Sequence, residues 1–174
     1  MRIYTIGHST RSLDELVHLL AASGVKLLAD IRRYPGSRRY PHFSRESLER
    51  ALPAEGIDYV HMPELGGRRR PRKDSANDAL HNEQFRGYAD YMGTQEFSDA
   101  VDALLRFDGP VAIMCAEAVP WRCHRSFVAD ELTRRGVEVV HILGAGNRKR
   151  HELNPLASVR DGHLVYRKPL LESI

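Results

Sequence analysis

The sequence predicts an α/β fold: a single three-layer domain, residues 1–174, with a mostly parallel sheet flanked by helices. Three observations predict it. Short apolar runs at 3–6, 25–31, 57–62, 110–115 and 137–143 alternate with segments of helical periodicity. The runs have almost no polar face, as strands covered on both sides require. The helical segments carry start and stop signals in the right places.

Residues 3–6 are β-prone and lead through Gly7-His8-Ser9-Thr10 into Ser12-Leu13-Asp14-Glu15, which has capping-box spacing. The helix that follows carries an apolar stripe from Leu13 to Leu20, and Gly24 suits the left-handed residue that closes it. After the strand at 25–31, Phe43, Ser44 and Leu48 stand at the spacing of a hydrophobic staple around an N-cap, and the helix they open fades near Pro53 and Gly56. A third strand spans 57–62. A basic loop at 66–82 comes next, rich in glycine and arginine at its start. Phe85, Tyr88, Ala89 and Met92 mark one helix face, and Phe97, Val101, Leu104 and Leu105 another. A strand at 110–115, a helix at 126–135 closed by Gly136 and a strand at 137–143 complete the pattern. From about residue 144 an irregular C-terminal segment is expected, with a glycine-rich basic loop at 144–152 and a short edge strand at 163–166.

At 174 residues the chain is long enough to bury roughly 70% of the surface exposed when unfolded, so it needs no metal or disulfide staple. The net charge of +3 hides an asymmetry. From Asp30 to Lys73 there are eleven Arg/Lys against six Asp/Glu, and from Asp74 to Glu117 two against nine, which predicts a basic face for an acidic partner or a solvated surface. Two cysteines and no apolar run long enough to cross a bilayer predict a reduced, cytoplasmic protein with no membrane partner.

Ligands of parallel sheets bind beyond the carboxyl ends of the strands. Those ends carry His8 and Ser9, Asp30 and Arg32, His61 and Glu64, Cys115 and Glu117, and His141. The strand-to-helix junction from Met114 to Arg125 is the sharpest feature. Cys123 precedes a helix start beside His124, between Arg122 and Arg125, surroundings that lower a thiol pKa, and it is the candidate nucleophile; the alternative is a half-buried cysteine packing the helix start. Cys115, inside an apolar run, reads as core. Glu117 is a candidate acid, base or nucleophile, or else the ion-pair partner of Arg122 or Arg125. Asp30 likewise either does chemistry or orients Arg32.

The loop from Arg32 to Pro41 interleaves arginines, including Arg38 and Arg39, with tyrosines, a pattern suited to phosphates and bases. Gly66-Gly67-Arg68 adds a candidate phosphate-binding turn, but no Walker-type or dinucleotide glycine fingerprint is present. No compact metal-ligand pair occurs, so no metal site is predicted, and no cofactor is identified. The spacing from Cys115 to Arg122 exceeds the cysteine-phosphatase loop by one residue.

Taken in order, Thr5-Ile6-Gly7-His8-Ser9-Thr10, Asp30-Ile31-Arg32, Pro63-Glu64-Leu65-Gly66-Gly67, Cys115-Ala116-Glu117 and Cys123-His124-Arg125 resemble the bacterial and archaeal family called domain of unknown function 488, over residues 3 to about 142. The resemblance implies a compact cytoplasmic α/β domain whose matching polar residues cluster as a site, and it supplies no reaction. The residues themselves lead to an enzyme, a hydrolase or transferase, acting on a nucleotide, nucleic acid or other phosphate-bearing substrate. In that reading Cys123 is the nucleophile, His124 its proton partner and Glu117 an acid or base, with His8 beside them. Ser9, Asp30, Arg32, Arg38, Arg39, Glu64, Arg68, Arg122 and Arg125 then form the substrate surface. Two alternatives stand beside it: a non-catalytic nucleic-acid-binding module, and rhodanese-like sulfur transfer through Cys123.

Overall fold

The computed structural model describes residues 1–36 and 38–169. Eight strands and five α-helices follow one another as β1 (Arg2–Gly7), α1 (Leu13–Ala22), β2 (Leu27–Asp30), α2 (Arg45–Ala54), β3 (Asp58–His61), α3 (Glu83–Met92), α4 (Gln95–Leu105), β4 (Val111–Cys115), α5 (Arg125–Arg134), β5 (Glu138–Gly144), β6 (Asn147–Arg150), β7 (Ala157–Arg160) and β8 (His163–Tyr166) among the described residues. The main sheet has the order β3-β2-β4-β1-β5-β6. Its first five strands are parallel and β6 is antiparallel. The α/β class read from the sequence is therefore the observed one.

The helix starts are set by local chemistry. The Ser12 Oγ accepts the Glu15 N–H at 3.1 Å and the Ser44 Oγ accepts the Ser47 N–H at 3.2 Å, each closing an otherwise open donor for about 1 kcal/mol. Gly24 closes α1 at φ +69, a conformation that costs a residue with a Cβ.

Side chains alternate across the sheet and so divide the core in two. Tyr4, Ile6, Leu28, Ala112 and Met114 pack beneath α1 and α2 with Leu16, Leu20, Leu48 and Leu52. Ile3, Leu27, Ala29, Val111, Ile113 and Cys115 pack beneath α3, α4 and α5 with Tyr88, Phe97, Val101 and Phe127. This parity places Cys115 on the α5 side of the sheet and Asp30 on the opposite side.

Two expectations are corrected. Residues 144–152 are no plain loop: β6 pairs there with β5, His141 opposite Lys149. All four β6 residues are exposed, as an edge strand allows, so the run lacks any apolar signal. The segment expected to be irregular from about 144 also carries two more strands among its described residues, 145–169. The strand expected at 163–166 exists, but it belongs to a separate two-stranded sheet with β7. Leu164 and Tyr166 of β8 are buried against the α3–α5 side of the core.

Candidate active site

A cleft of about 250 Å³ opens beyond the carboxyl ends of β2 and β4. Cys115, Ala116, Glu117, Arg122, Cys123 and His124 line it from the β4–α5 junction, and Arg32, Arg33, Tyr34, Gly67 and Arg68 from the two basic loops. Gln84, Phe85 and Tyr88 of α3 close the remaining side.

The junction is held by backbone contacts. The His8 N–H donates to the Cys115 carbonyl at 3.0 Å and the Ser9 N–H to the Ala116 carbonyl at 2.9 Å. A Cβ on Gly7 would stand 1.7 Å from the Glu117 carbonyl oxygen, so only glycine lets the β4 end turn across β1. The turn delivers the Glu117 and Ala118 carbonyls to the guanidinium of Arg125, at 2.8 and 3.3 Å.

Arg125 is fully buried, and among the described residues it has no carboxylate partner. Its Nη1 instead lies 2.8 Å from the Sγ of Cys115, and the Sγ of Cys123 lies 2.8 Å from that of Cys115. A buried cation needs an anion close by, and Cys115 is the group placed to supply one. Burial alone would push the Cys115 thiol up; the S–H donated by Cys123 and the Arg125 charge outweigh it and bring Cys115 down to about 7. Cys123 moves the other way, well above the ordinary thiol range, because its proton is held between the two sulfurs and the site is buried. The charge expected at Cys123 is instead favoured at Cys115, whose sulfur the Arg125 guanidinium reaches.

His124 completes the constellation. Its Nε2 contacts the Ile31 carbonyl at 3.2 Å, and its Nδ1 faces the Cys123 Sγ at 3.5 Å. A carbonyl only accepts, so Nε2 carries the hydrogen and Nδ1 presents a lone pair to the thiol. Burial lowers the imidazole to about 4, which keeps it neutral. The Cys123 Sγ also receives the Arg125 N–H at 3.4 Å, at the first turn of α5.

The remaining candidates divide into those in the cleft and those behind it. Glu117 lines it with an exposed carboxylate, which forms no ion pair among the described residues. Arg68 stands at the mouth in a left-handed conformation (φ +59), its carbonyl accepting from Arg33 Nη1 at 2.9 Å. The guanidinium groups of Arg33 and Arg68 both lie over the ring of Tyr34, at 5.5 and 5.6 Å, and that ring is 63% exposed. Arg32 reaches the cleft but is committed: Nε and Nη2 bind Asp30 at 2.9 and 2.7 Å, and Nη2 also donates to the Phe43 carbonyl. Asp30 itself is fully buried on the other side of the sheet, where the Tyr59 hydroxyl donates to it at 2.5 Å. It orients Arg32 and does not enter the cleft.

His8 is buried, stacked on Phe43 at 4.5 Å, and accepts from Arg32 Nη1 at 3.3 Å through Nε2, so it positions the arginine from behind. Burial lowers it to about 4. Ser9, Arg38, Arg39 and Glu64 are not among the cleft lining. Ser9 turns the chain at φ +47, Arg38 and Arg39 are exposed, and Glu64 contributes its carbonyl to the Tyr91 hydroxyl at 2.6 Å. Arg33, Tyr34 and Gly67 lie in the two loops that the sequence singles out, whereas Cys115, Ala116, Gln84, Phe85 and Tyr88 are lining residues that it left out of the site. The last two carried only the signal of an apolar helix face. No group of three or more His, Cys, Asp and Glu side chains able to hold a metal comes together among the described residues.

A sequence model described as domain of unknown function DUF488 matches residues 12–132. The chain belongs to this family. The matched span contains Asp30 and Arg32, the Gly66-Gly67-Arg68 turn and the whole thiol junction up to α5, so the cleft of this DUF488 domain lies within it. The Gly7-His8-Ser9 turn that braces the junction precedes the match. No curated protein and no solved structure matches the chain. No helix among the described residues is long and apolar enough to cross a membrane.

Proposed function

We propose that this DUF488 domain is an enzyme that binds a phosphate-bearing substrate, a nucleotide or a segment of nucleic acid, in the strand-end cleft and attacks it with the Cys115–Cys123 thiol pair. The observation that carries the reading is the joining of an arginine-rimmed mouth to a thiol floor in one cavity of about 250 Å³. Arg68, Arg33 and Arg122 meet the anion, Tyr34 offers its face to a base, and Arg32, tied to Asp30, lends the cleft wall its charge without a direct contact. Cys123 is the nucleophile. Its proton moves over 2.8 Å to the Cys115 thiolate, whose charge Arg125 had been holding, and the neutral Nδ1 of His124 offers a second acceptor. Glu117 stands at the edge of the cleft as an acid or base for the leaving group. A hydrolase or a transferase is compatible with these parts.

The test is protection. Reduced protein is treated with iodoacetamide alone and in the presence of pyrophosphate, AMP or a short oligothymidylate, and labelling at Cys123 is read by peptide mass spectrometry. The reading predicts slower labelling with at least one of these anions and loss of that protection in Arg68→Ala and Arg122→Ala. Labelling unaffected by all three would overturn it.

A further inference from the structure

Two thiols share the floor of the cleft, and a single-nucleophile reaction needs only one. Cys115 and Cys123 are free thiols whose sulfurs are 2.8 Å apart, so about 0.8 Å of approach separates them from disulfide bonding distance. They are unequal in the way a redox pair requires. Cys115 sits at the end of a buried strand, 1% exposed, with Arg125 on its sulfur; Cys123 sits in the turn before α5, with His124 beside it. Arg125 also has a buried Nε with no hydrogen-bond partner among the described residues, so its charge is left to the sulfurs and to carbonyl dipoles. Any sulfur adduct formed on Cys123 would stand directly beside a thiol that is readily ionised.

We infer that the cleft is a dithiol redox centre in which Cys123 attacks and Cys115 resolves, and that the substrate class it reduces is a small disulfide bearing phosphate or carboxylate groups. The inference rests on reading the cleft as an anion-binding thiol site. In the first step the Cys123 proton passes to Cys115, and the Cys123 thiolate attacks one sulfur of the substrate R–S–S–R′. The Cys123–S–S–R bond forms and R′–S⁻ leaves. In the second step the Cys115 proton goes to R′–S⁻, and the Cys115 thiolate attacks the Sγ of Cys123. The Cys115–Cys123 disulfide forms and R–S⁻ leaves. The protein has lost two electrons, the substrate has gained them, and the one proton of the starting pair ends on R′–SH. The rim of Arg33, Arg68 and Arg122 selects for negative charge on R or R′.

The experiment mixes fully reduced wild-type protein with oxidised glutathione as the anionic probe and with bis(2-hydroxyethyl) disulfide as the neutral one, and follows intact and peptide masses. The expected product is the Cys115–Cys123 cross-link with no adduct left on the protein, formed on the order of tenfold faster with the anionic probe at low salt. In Cys115→Ser one glutathionyl group should remain trapped on Cys123, and in Cys123→Ser reaction at Cys115 should slow on the order of 100-fold. A lasting glutathionyl adduct in the wild type, thiols that stay reduced, or equal rates for the two probes would each overturn the inference. The wild-type result stands even where a variant folds poorly. Thiols that stay reduced while AMP or pyrophosphate still protects Cys123 would sink this inference alone, whereas a cross-link without anion protection would sink the phosphate reading.

Discussion

Two of the buried polar clusters on helix α5, around Arg125 and around Asp130, are wired in opposite ways. At its first turn Arg125 is a buried cation whose neighbours are two carbonyls and a thiol. One turn and more further on, Asp130 is a buried anion met by three donors, the Tyr166 hydroxyl and the His151 Nε2, both at 2.7 Å, and the Asn154 N–H at 3.1 Å; behind His151 lies the ring of His141 at 2.9 Å, itself 2.6 Å from the Thr5 hydroxyl. A single set of protons satisfies that whole chain, Thr5 to His141 to His151 to Asp130. The Asp130 cluster is complete within the protein and ties α5 to β1, β5 and β8. The Arg125 cluster is complete only when a thiol ionises. The difference separates a polar group closed within the fold from one whose charge is left to a thiol.

Breaking each cluster at its centre should therefore give different phenotypes. Arg125→Met should be the most damaging change, raising the first thiol ionisation to the free-cysteine value of about 8.5 or above, and costing about 2–4 kcal/mol for the carbonyls left without a donor. Alkylation profiles and urea unfolding read the two effects. Asp130→Asn should cost about 3 kcal/mol in the same unfolding experiment, yet leave the alkylation midpoint where it was. A shift of that midpoint would join the two clusters into one system.

Acid should act on both clusters. Burial, the largest cause in each, holds His8 and His124 near 4 and His141 near 3, against an ordinary 6.5. The folded state keeps these rings neutral while the unfolded chain takes up protons below pH 6.5. Stability is therefore whole above that pH and is lost as the pH falls toward 4, by up to about 1.4 kcal/mol per pH unit for each ring. Denaturant midpoints at pH 7.5, 6 and 5 test this, and His141→Gln and His124→Gln should each flatten the slope. An unchanged midpoint across that range would contradict it.

Smaller effects mark the cleft mouth. Tyr34→Ala should weaken protection by AMP about tenfold through loss of stacking, with unfolding unchanged. Arg38→Ala and Arg39→Ala should alter neither stability by more than about 0.5 kcal/mol nor protection by more than about twofold, since both side chains lie outside the cleft. A larger loss of protection would extend the substrate surface beyond the cavity.

Much of the fold was legible because the signals were local. The Ser12 and Ser44 caps, the closing Gly24 and the apolar strand runs each act over a few residues. Strand β6 was not, because all its residues face water and its pairing with β5 leaves no apolar trace. The strand-end rule pointed to where the cleft lies, and Cys123, His124, Glu117, Arg122, Arg32 and Arg68 line it together. Its electrostatics did not follow. Cys115 looks like core because it alternates correctly within β4, and only the fold reveals that Arg125, ten residues on, reaches its sulfur. Asp30 and His8 share their strand ends with the site, yet Asp30 points to the other face of the sheet and His8 sits behind Arg32. The arginines at 38 and 39 are exposed and lie outside the cleft lining.

Cys115 and Cys123 are placed to hold one proton between them under the charge of Arg125. The most direct measurement is the ultraviolet thiolate absorbance of the reduced wild-type protein as a function of pH, with Cys115→Ser and Cys123→Ser alongside. One thiolate should appear with a midpoint near 7, the second only well above the ordinary thiol range, and the low step should disappear in either single variant. Two thiols titrating together near the free-cysteine value of about 8.5 would contradict it.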